Sequence, residues 1–257
     1  MKHWHSPALV LSVRSHSESD KIISLYSQDF GKITAIAKGA HKSKKRFVNK
    51  LEPCTLLVVT CRPPKRGSLF FLEQAQLLNA HLGLRSNYGL YVASIFLCEL
   101  IRLFGSEQDA DRALFELAST SLANLARQDC PADILITFFL LHLLRICGYA
   151  PKLDSCARCG RDIGQEGNFF LSPAGGGVIC QRCAPGSGNS NSSLLLSRQT
   201  LKFLLTGQNM HLNRLRNLRM SRQNTQQAIT ALSQYCRHIL QQDIHSLKTL
   251  LETAMFT

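Results

Sequence analysis

The sequence predicts an α+β chain, with an N-terminal five-stranded OB-fold barrel followed by an α-helical domain that carries an embedded four-cysteine zinc module. Three observations carry this expectation. Five short β-branched and aromatic runs, bounded by Gly, Pro, Ser or Asp, fall within about the first eighty residues. From Asn87 the apolar period changes from two to three and four. Cys156-Ala157-Arg158-Cys159 is followed, twenty residues later, by Cys180-Gln181-Arg182-Cys183.

The five runs are Ala8 to Arg14, Lys21 to Tyr26, Lys32 to Lys38, Thr55 to Cys61 and Leu69 to Ala75. None has helical length, and turns at Gln28-Asp29-Phe30-Gly31 and around Pro63-Pro64 separate them. A five-stranded barrel of this size fits the OB fold, whose open face takes oligonucleotides; a small SH3-like barrel fits the same pattern. Between the third and fourth runs, residues 38 to 50 hold six Lys/Arg, one His and no acid. So basic a segment repels itself unless it is solvated or an anion such as a phosphate backbone sits in it. The candidate DNA-contacting residues are Arg14, Lys38, Lys42, Lys44, Lys45, Arg46 and Lys50, with Lys65 and Arg66 extending the track beside Arg62. Phe47 is a candidate for stacking on a base.

Helical stripes follow. Tyr91, Ile95, Leu97, Leu100, Ile101 and Phe104 form one, ending at Gly105, and a second runs from Asp109 to Ala126. A third follows Pro131, has Asp133 in its first turn and stops at Gly148. Its fourteen-residue apolar run, Ile134 to Cys147, is too short to span a bilayer and contains His142 and Arg145, so it reads as a buried core helix. Helical spacing returns over Leu194 to Leu205 and Asn224 to about Leu251. Between them Arg214, Arg216, Arg219 and Arg222 form either a second phosphate track or a solvated face. The expected division is residues 1–80 for the barrel, 81–150 and 193–257 for two parts of one helical domain, and 151–192 for the cysteine module.

Cys156, Cys159, Cys180 and Cys183 are the candidate metal ligands. Two-residue intervals let one tight turn aim both sulfurs of a pair at one point, and four thiolates complete a tetrahedral zinc shell. Four cysteines close the site, so the zinc reads as structural rather than catalytic. The spacer is rich in glycine, including Gly175-Gly176-Gly177, and buries little on this reading, so ligation must supply the ordering free energy. Disulfides would need an oxidising compartment, and the first twenty residues hold only a six-residue apolar run, too short for a signal h-region. Cys54, Cys61, Cys98, Cys130, Cys147 and Cys236 are then expected as buried thiols without partners at ligand spacing.

Net charge is +13, and its distribution is uneven. Residues 1–50 carry ten Lys/Arg against three acids, 51–166 carry eleven against twelve, and 167–242 carry eight against none. Excess charge on separate segments suits a polyanion, nucleic acid above all. No phosphate-binding loop, zinc-protease, serine-hydrolase or deaminase pattern occurs, and Asp109 and Asp111 read as helix caps. No catalytic residues are assigned, and the chain reads as a binding protein and not an enzyme. The rival readings are an RNA-modifying enzyme or a transcription regulator with a structural zinc site.

Glu18-Ser19-Asp20-Lys21, Phe30-Gly31-Lys32 and Ala37-Lys38-Gly39-Ala40 resemble the N-terminal domain of the RecO recombination mediator family. Gly148-Tyr149-Ala150-Pro151-Lys152-Leu153-Asp154-Ser155-Cys156, running into Cys159-Gly160, resembles that family's entry into its zinc module. The likeness spans nearly the whole chain, including a closing helix with Leu232 and Tyr235. It implies a DNA repair and recombination protein that binds single- and double-stranded DNA without sequence preference and anneals complementary strands. It further implies that the protein works with RecR to load RecA onto DNA covered by single-stranded-DNA-binding protein, and docks that protein's acidic C-terminal tail, for which Arg145 is a candidate. The implied setting is the bacterial cytoplasm, at the nucleoid and away from membranes.

Overall fold

The computed structural model describes residues 3–64, 66–163, 168–184, 193–210, 214–215 and 218–253. The chain divides into two compact units, residues 1–127 and 128–257.

The first unit is built on a closed barrel of β1 (Trp4–Ser15), β2 (Lys21–Ser27), β3 (Gly31–Ala37), β4 (Leu56–Arg62) and β5 (Leu69–Asn79). The strand order is β1-β2-β3-β5-β4, with β4 returning to β1 and β3 parallel to β5. Closure pairs both edges, and alternation sends one set of side chains inward: Leu57, Val59 and Cys61 from β4 are buried while Leu56, Val58, Thr60 and Arg62 are only half-buried. Ala8, Val10, Ile23, Leu25, Ile33, Phe70 and Leu72 complete the core, against which Trp4 and Phe30 stack at 4.2 Å. β1 begins at Trp4, four residues before the apolar run, because pairing with β4 extends it beyond its hydrophobic stretch.

A 3₁₀ turn (Leu82–Arg85) leads to α1 (Tyr88–Phe104) and α2 (Arg112–Arg127). The Asn87 side chain caps α1 by accepting from the N–H groups of Gly89 and Leu90, and α1 packs against β1 and β2. Asp111 accepts from the Leu114 N–H, so α2 starts three residues later than its apolar stripe suggests. Gly31 has φ +66° and a Cβ there would lie 2.1 Å from the Asp109 carbonyl oxygen, so the β2–β3 turn tolerates only glycine.

In the second unit α3 (Ala132–Ile146) is buried from Ile134 to Leu144 and packs against α4 (Arg198–Gln208) and α5 (Arg222–Leu240). Asp133 does more than face the helix dipole: its Oδ2 accepts from the Thr225 hydroxyl at 2.6 Å, tying α3 to α5. Ser197 and Ser221 cap α4 and α5. The stripe expected as one helix to Leu251 breaks at Gln241, in the left-handed region at φ 51°, and resumes as α6 (His245–Glu252).

Further expectations fail in the second unit. The spacer between the cysteine pairs is not bare loop: Phe169–Ser172 and Gly177–Cys180 pair as strands β6 and β7, burying Phe169, Leu171, Val178 and Ile179. The start of the supposed helix at Leu194 is instead strand β8 (Leu194–Leu196), laid on β6. Strands of three or four residues are too short to show a period, and a sheet partner decides their conformation. The thiols also differ from expectation. Cys130 and Cys147 are half-buried, and Cys54 Sγ lies 3.5 Å from Cys98 Sγ. Among the described residues no helix is long and apolar enough to cross a membrane.

Candidate metal centre and nucleic-acid interface

The Sγ atoms of Cys156, Cys159, Cys180 and Cys183 all lie within 4.8 Å of one another, with Cys159 and Cys180 at 3.9 Å. Four thiolates about 2.3 Å from a divalent ion would stand roughly 3.8 Å apart, so the residues present fit such a group. Each pair sits on a turn. Gly160 N–H donates to the Cys156 carbonyl at 2.8 Å, and Cys183 N–H to the Cys180 carbonyl at 2.9 Å. The Arg158 guanidinium clasps the turns together, donating to the Cys183 carbonyl at 2.8 Å. The β6–β7 hairpin brings the second pair back, and Lys152 pairs with Gly177 to hold the first pair against it. A Cβ on Gly177 would lie 2.4 Å from the Lys152 carbonyl oxygen, so this approach requires glycine.

Burial raises the Cys156 thiol pKa, but the backbone N–H groups of Cys180, Cys159 and Arg158 outweigh it and hold the value at about 6. Cys183 is pushed up to about 12, by its neighbours Cys159 and Cys180 first. Several thiolates brought this close repel one another, and a cation among them would offset that charge.

The basic segment is an ordered loop anchored on the barrel. Ala40, Phe47 and Leu51 point into the barrel core, Phe47 only 3% exposed. Phe47 is therefore an anchor, and its ring is not offered to a base as the sequence suggested. Lys38, Lys42, Lys44, Lys45 and Arg46 are exposed. Among the described residues Lys42, Lys44, Lys45 and Arg46 make no ion pair, whereas Lys21, Lys32 and Arg62 lie against Glu52, Glu107 and Glu73. Lys50 differs: half-buried, its ammonium donates to the carbonyls of Lys45, Arg46 and Ala75 and fastens the end of the loop. The start is fastened by Asp20, whose carboxylate accepts from Gly39 N–H at 2.8 Å, while His41 N–H donates to the Ser19 carbonyl. The Gly39 N–H, then the Ser19 hydroxyl, hold the Asp20 carboxyl below its ordinary value. Two motifs that stood out in the sequence, around Asp20 and Gly39, thus meet at one hydrogen bond.

Arg14 is exposed near the end of β1 and, with Lys32, Thr34, Arg102 and Glu107, lines a groove of about 460 Å³ on the outer barrel face. Lys32 is committed there to the Arg102 carbonyl at 3.0 Å. Arg66 is exposed in the β4–β5 hairpin, and Lys65 lies outside the described residues. Sequence reasoning missed Phe71. Its ring, half-buried on β5, has Lys38 Nζ at 5.5 Å and the Arg62 guanidinium at 4.7 Å, linking loop and hairpin in one cationic strip. Two adjacent phenylalanines in an apolar strand face opposite sides, and the sequence does not say which of Phe70 and Phe71 faces out until register is known. In the second unit, Arg214 and Arg219 are exposed, and Arg216 is outside the described residues. Arg145 is exposed, and its guanidinium meets His142 Nδ1 at 2.9 Å and the Gln208 carbonyl at 3.4 Å.

Residues 1–81 match the family model described as Recombination protein O N terminal, and residues 85–248 match Recombination protein O C terminal. The chain is 34% identical over 245 residues to the DNA repair protein RecO of Syntrophus aciditrophicus, spanning 95% of this chain and 93% of that one. It is 29% identical over 250 residues to the DNA repair protein RecO of Syntrophobacter fumaroxidans, covering 97% and 98%. It is 27% identical over 246 residues to the DNA repair protein RecO of Caldanaerobacter subterraneus subsp. tengcongensis, covering 96% of both.

Proposed function

Because the chain belongs to the RecO family of DNA repair and recombination proteins, we propose that it binds single- and double-stranded DNA without sequence preference and anneals complementary strands. With RecR it helps load RecA onto DNA covered by single-stranded-DNA-binding protein. The observation that carries this reading is the exposed loop cations Lys42, Lys44, Lys45 and Arg46, which make no ion pair among the described residues, on a loop held to the barrel by Phe47, Lys50 and Asp20.

Exposed cations on an anchored loop neutralise phosphates, which are the same in every sequence, so affinity falls with salt and little with base order. Lys38, Arg14 and Arg66 extend the track along the barrel, and Lys65, next to Arg66 in the sequence, is a further candidate. Two strands held on one cationic surface repel each other less, and pairing then releases free energy without turnover of any substrate. The protein is a mediator and not an enzyme.

Cys156, Cys159, Cys180 and Cys183 would hold zinc, whose preference for four thiolates matches their grouping. When bound it offsets thiolate charge and closes the turn pairs, while Arg158, Lys152 and the β6–β7 hairpin orient the sulfurs. Residues 151–192 are its module, set between the helical parts on either side. The acidic tail of the single-stranded-DNA-binding protein docks on the helical part, and Arg145 is the residue offered to it. The setting is the bacterial cytoplasm.

Titration with unrelated single-stranded and duplex oligonucleotides at two salt concentrations, and an annealing assay without nucleotide, test the reading. Equal affinities for unrelated sequences, weakened by salt, and accelerated annealing are expected. Sequence-dependent affinity would indicate a transcription regulator, and turnover of an RNA substrate an enzyme; either overturns the proposal.

A further inference from the structure

With Phe47 committed to the barrel core, the basic loop offers charge without a ring for bases. Exposed aromatic surface lies close by. Tyr88 and Tyr91, in the first turn of α1, are 68% and 40% exposed. Three residues apart on a helix, their Cβ atoms stand about 5–6 Å apart on one face. Leu82, in the preceding turn, and Leu77 and Leu78, at the end of β5, add exposed apolar surface within the same stretch of chain.

Several contacts bring this helix start to the exit of the basic loop. His81, at φ 44°, has its Nδ1 2.7 Å from the Cys54 carbonyl oxygen and donates its N–H to Asn79 Oδ1, which sets the Leu82–Arg85 turn beside Cys54. Cys54 Sγ lies 3.3 Å from the hydroxyl of Ser94, which itself donates to the Tyr91 carbonyl. Burial first, then the neighbouring Cys54 and Glu52, raise the Tyr91 hydroxyl above its ordinary value, with Arg85 acting the other way. Glu52 follows Lys50, the fastened end of the loop, by two residues, and sits 3.9 Å from Lys21. The first turn of α1 therefore lies beside Cys54, four residues past the fastened Lys50, and Glu52 between them faces Lys21.

We propose that Tyr88 and Tyr91 form a stacking platform for the unpaired bases of single-stranded nucleic acid whose phosphates follow the basic loop. The inference rests on the DNA-binding reading above. A ligand for this surface must bring negative charge and flat apolar faces together, and a single strand carries both in every repeat. Tyrosine rings are stiff and indifferent to base identity, so stacking adds affinity without adding sequence preference. Duplex DNA keeps its base faces inside and gains nothing from the platform.

The test compares the full chain with Tyr88→Ala/Tyr91→Ala and Tyr88→Phe/Tyr91→Phe, with melting temperatures for all three. The probes are an oligothymidylate, a duplex of equal length and a wholly abasic strand of equal length. The alanine pair should weaken binding to oligothymidylate about tenfold or more, with an unchanged salt slope. Its binding to duplex and abasic strand should match the parent, and the phenylalanine pair should match the parent on all probes. Unchanged oligothymidylate binding by the alanine pair would overturn the platform and leave the face to a protein partner. Equal losses on all three probes would also overturn it, making the tyrosines structural. A parent chain that binds none of the probes sinks the DNA-binding reading itself, a distinct result.

Discussion

Replacing Phe47 by Ala separates an anchored loop from a base-stacking one. The ring is 3% exposed and lies among Ala40, Leu51 and the barrel's inward side chains, with the Arg46 guanidinium 4.9 Å over it. Truncating a buried phenylalanine costs about 3–5 kcal/mol from lost transfer energy and the cavity left behind. For a unit of this size that is a fall in melting temperature of roughly 10–20 °C. The chain's single tryptophan, Trp4, stacks on Phe30 at 4.2 Å and meets Phe70 at 4.7 Å, so its fluorescence reports barrel unfolding directly. Phe47→Leu keeps most of the apolar volume and should lose only about 1–2 kcal/mol, with near-normal DNA binding. A base-stacking Phe47 would behave in the opposite way: the Ala variant would melt like the parent, and Leu would lose as much affinity as Ala. That pattern would refute the anchoring assignment.

Replacing Cys156 and Cys159 by Ser should abolish metal retention and cost solubility; elemental analysis and the unfolding profile check this, and a metal-free variant folded like the parent would contradict the structural role. Gly177→Ala should cost about 1–3 kcal/mol and speed metal loss to a chelator, because the new Cβ meets the Lys152 carbonyl, whereas Gly39→Ala, in the other unit, strains its own turn at φ +67° but should leave retention unchanged. Asp20 has a lowered folded-state pKa, so its charged contribution is present above the ordinary value of 3.8 and is lost as pH falls through the lower folded value. The stability difference between the parent chain and Asp20→Asn should therefore persist near neutrality and vanish on acidification below about pH 3.8; a pH-independent difference would contradict the assignment.

The barrel and α1 to α3 were legible because each rests on a period long enough to see. Seven-residue strands with β-branched side chains and helices of fifteen residues or more state their burial in their own sequence. The cysteine quartet was legible because its spacing encodes turn geometry. What escaped depended on tertiary context. β6, β7 and β8 have no period of their own and exist through their pairing with one another. Phe47 and Lys50 sit in a run that reads as uniformly basic, yet the fold turns the first into the core and caps the second with carbonyls. The cationic strip across Phe71 joins residues 38, 62 and 71, whose proximity only barrel register creates.

The most direct measurement is the salt dependence of single-strand binding by the chain in which Lys42, Lys44, Lys45 and Arg46 are all replaced by Ala. Each phosphate contact adds about 0.7 to the slope of log affinity against log salt for single strands, so losing four should flatten it by up to about 3. Affinity at low salt should fall severalfold or more, alike for unrelated sequences, with Arg14, Lys38 and Arg66 supplying the remaining slope. A variant whose slope and affinity both match the parent would contradict the assignment of this loop as the DNA-binding surface.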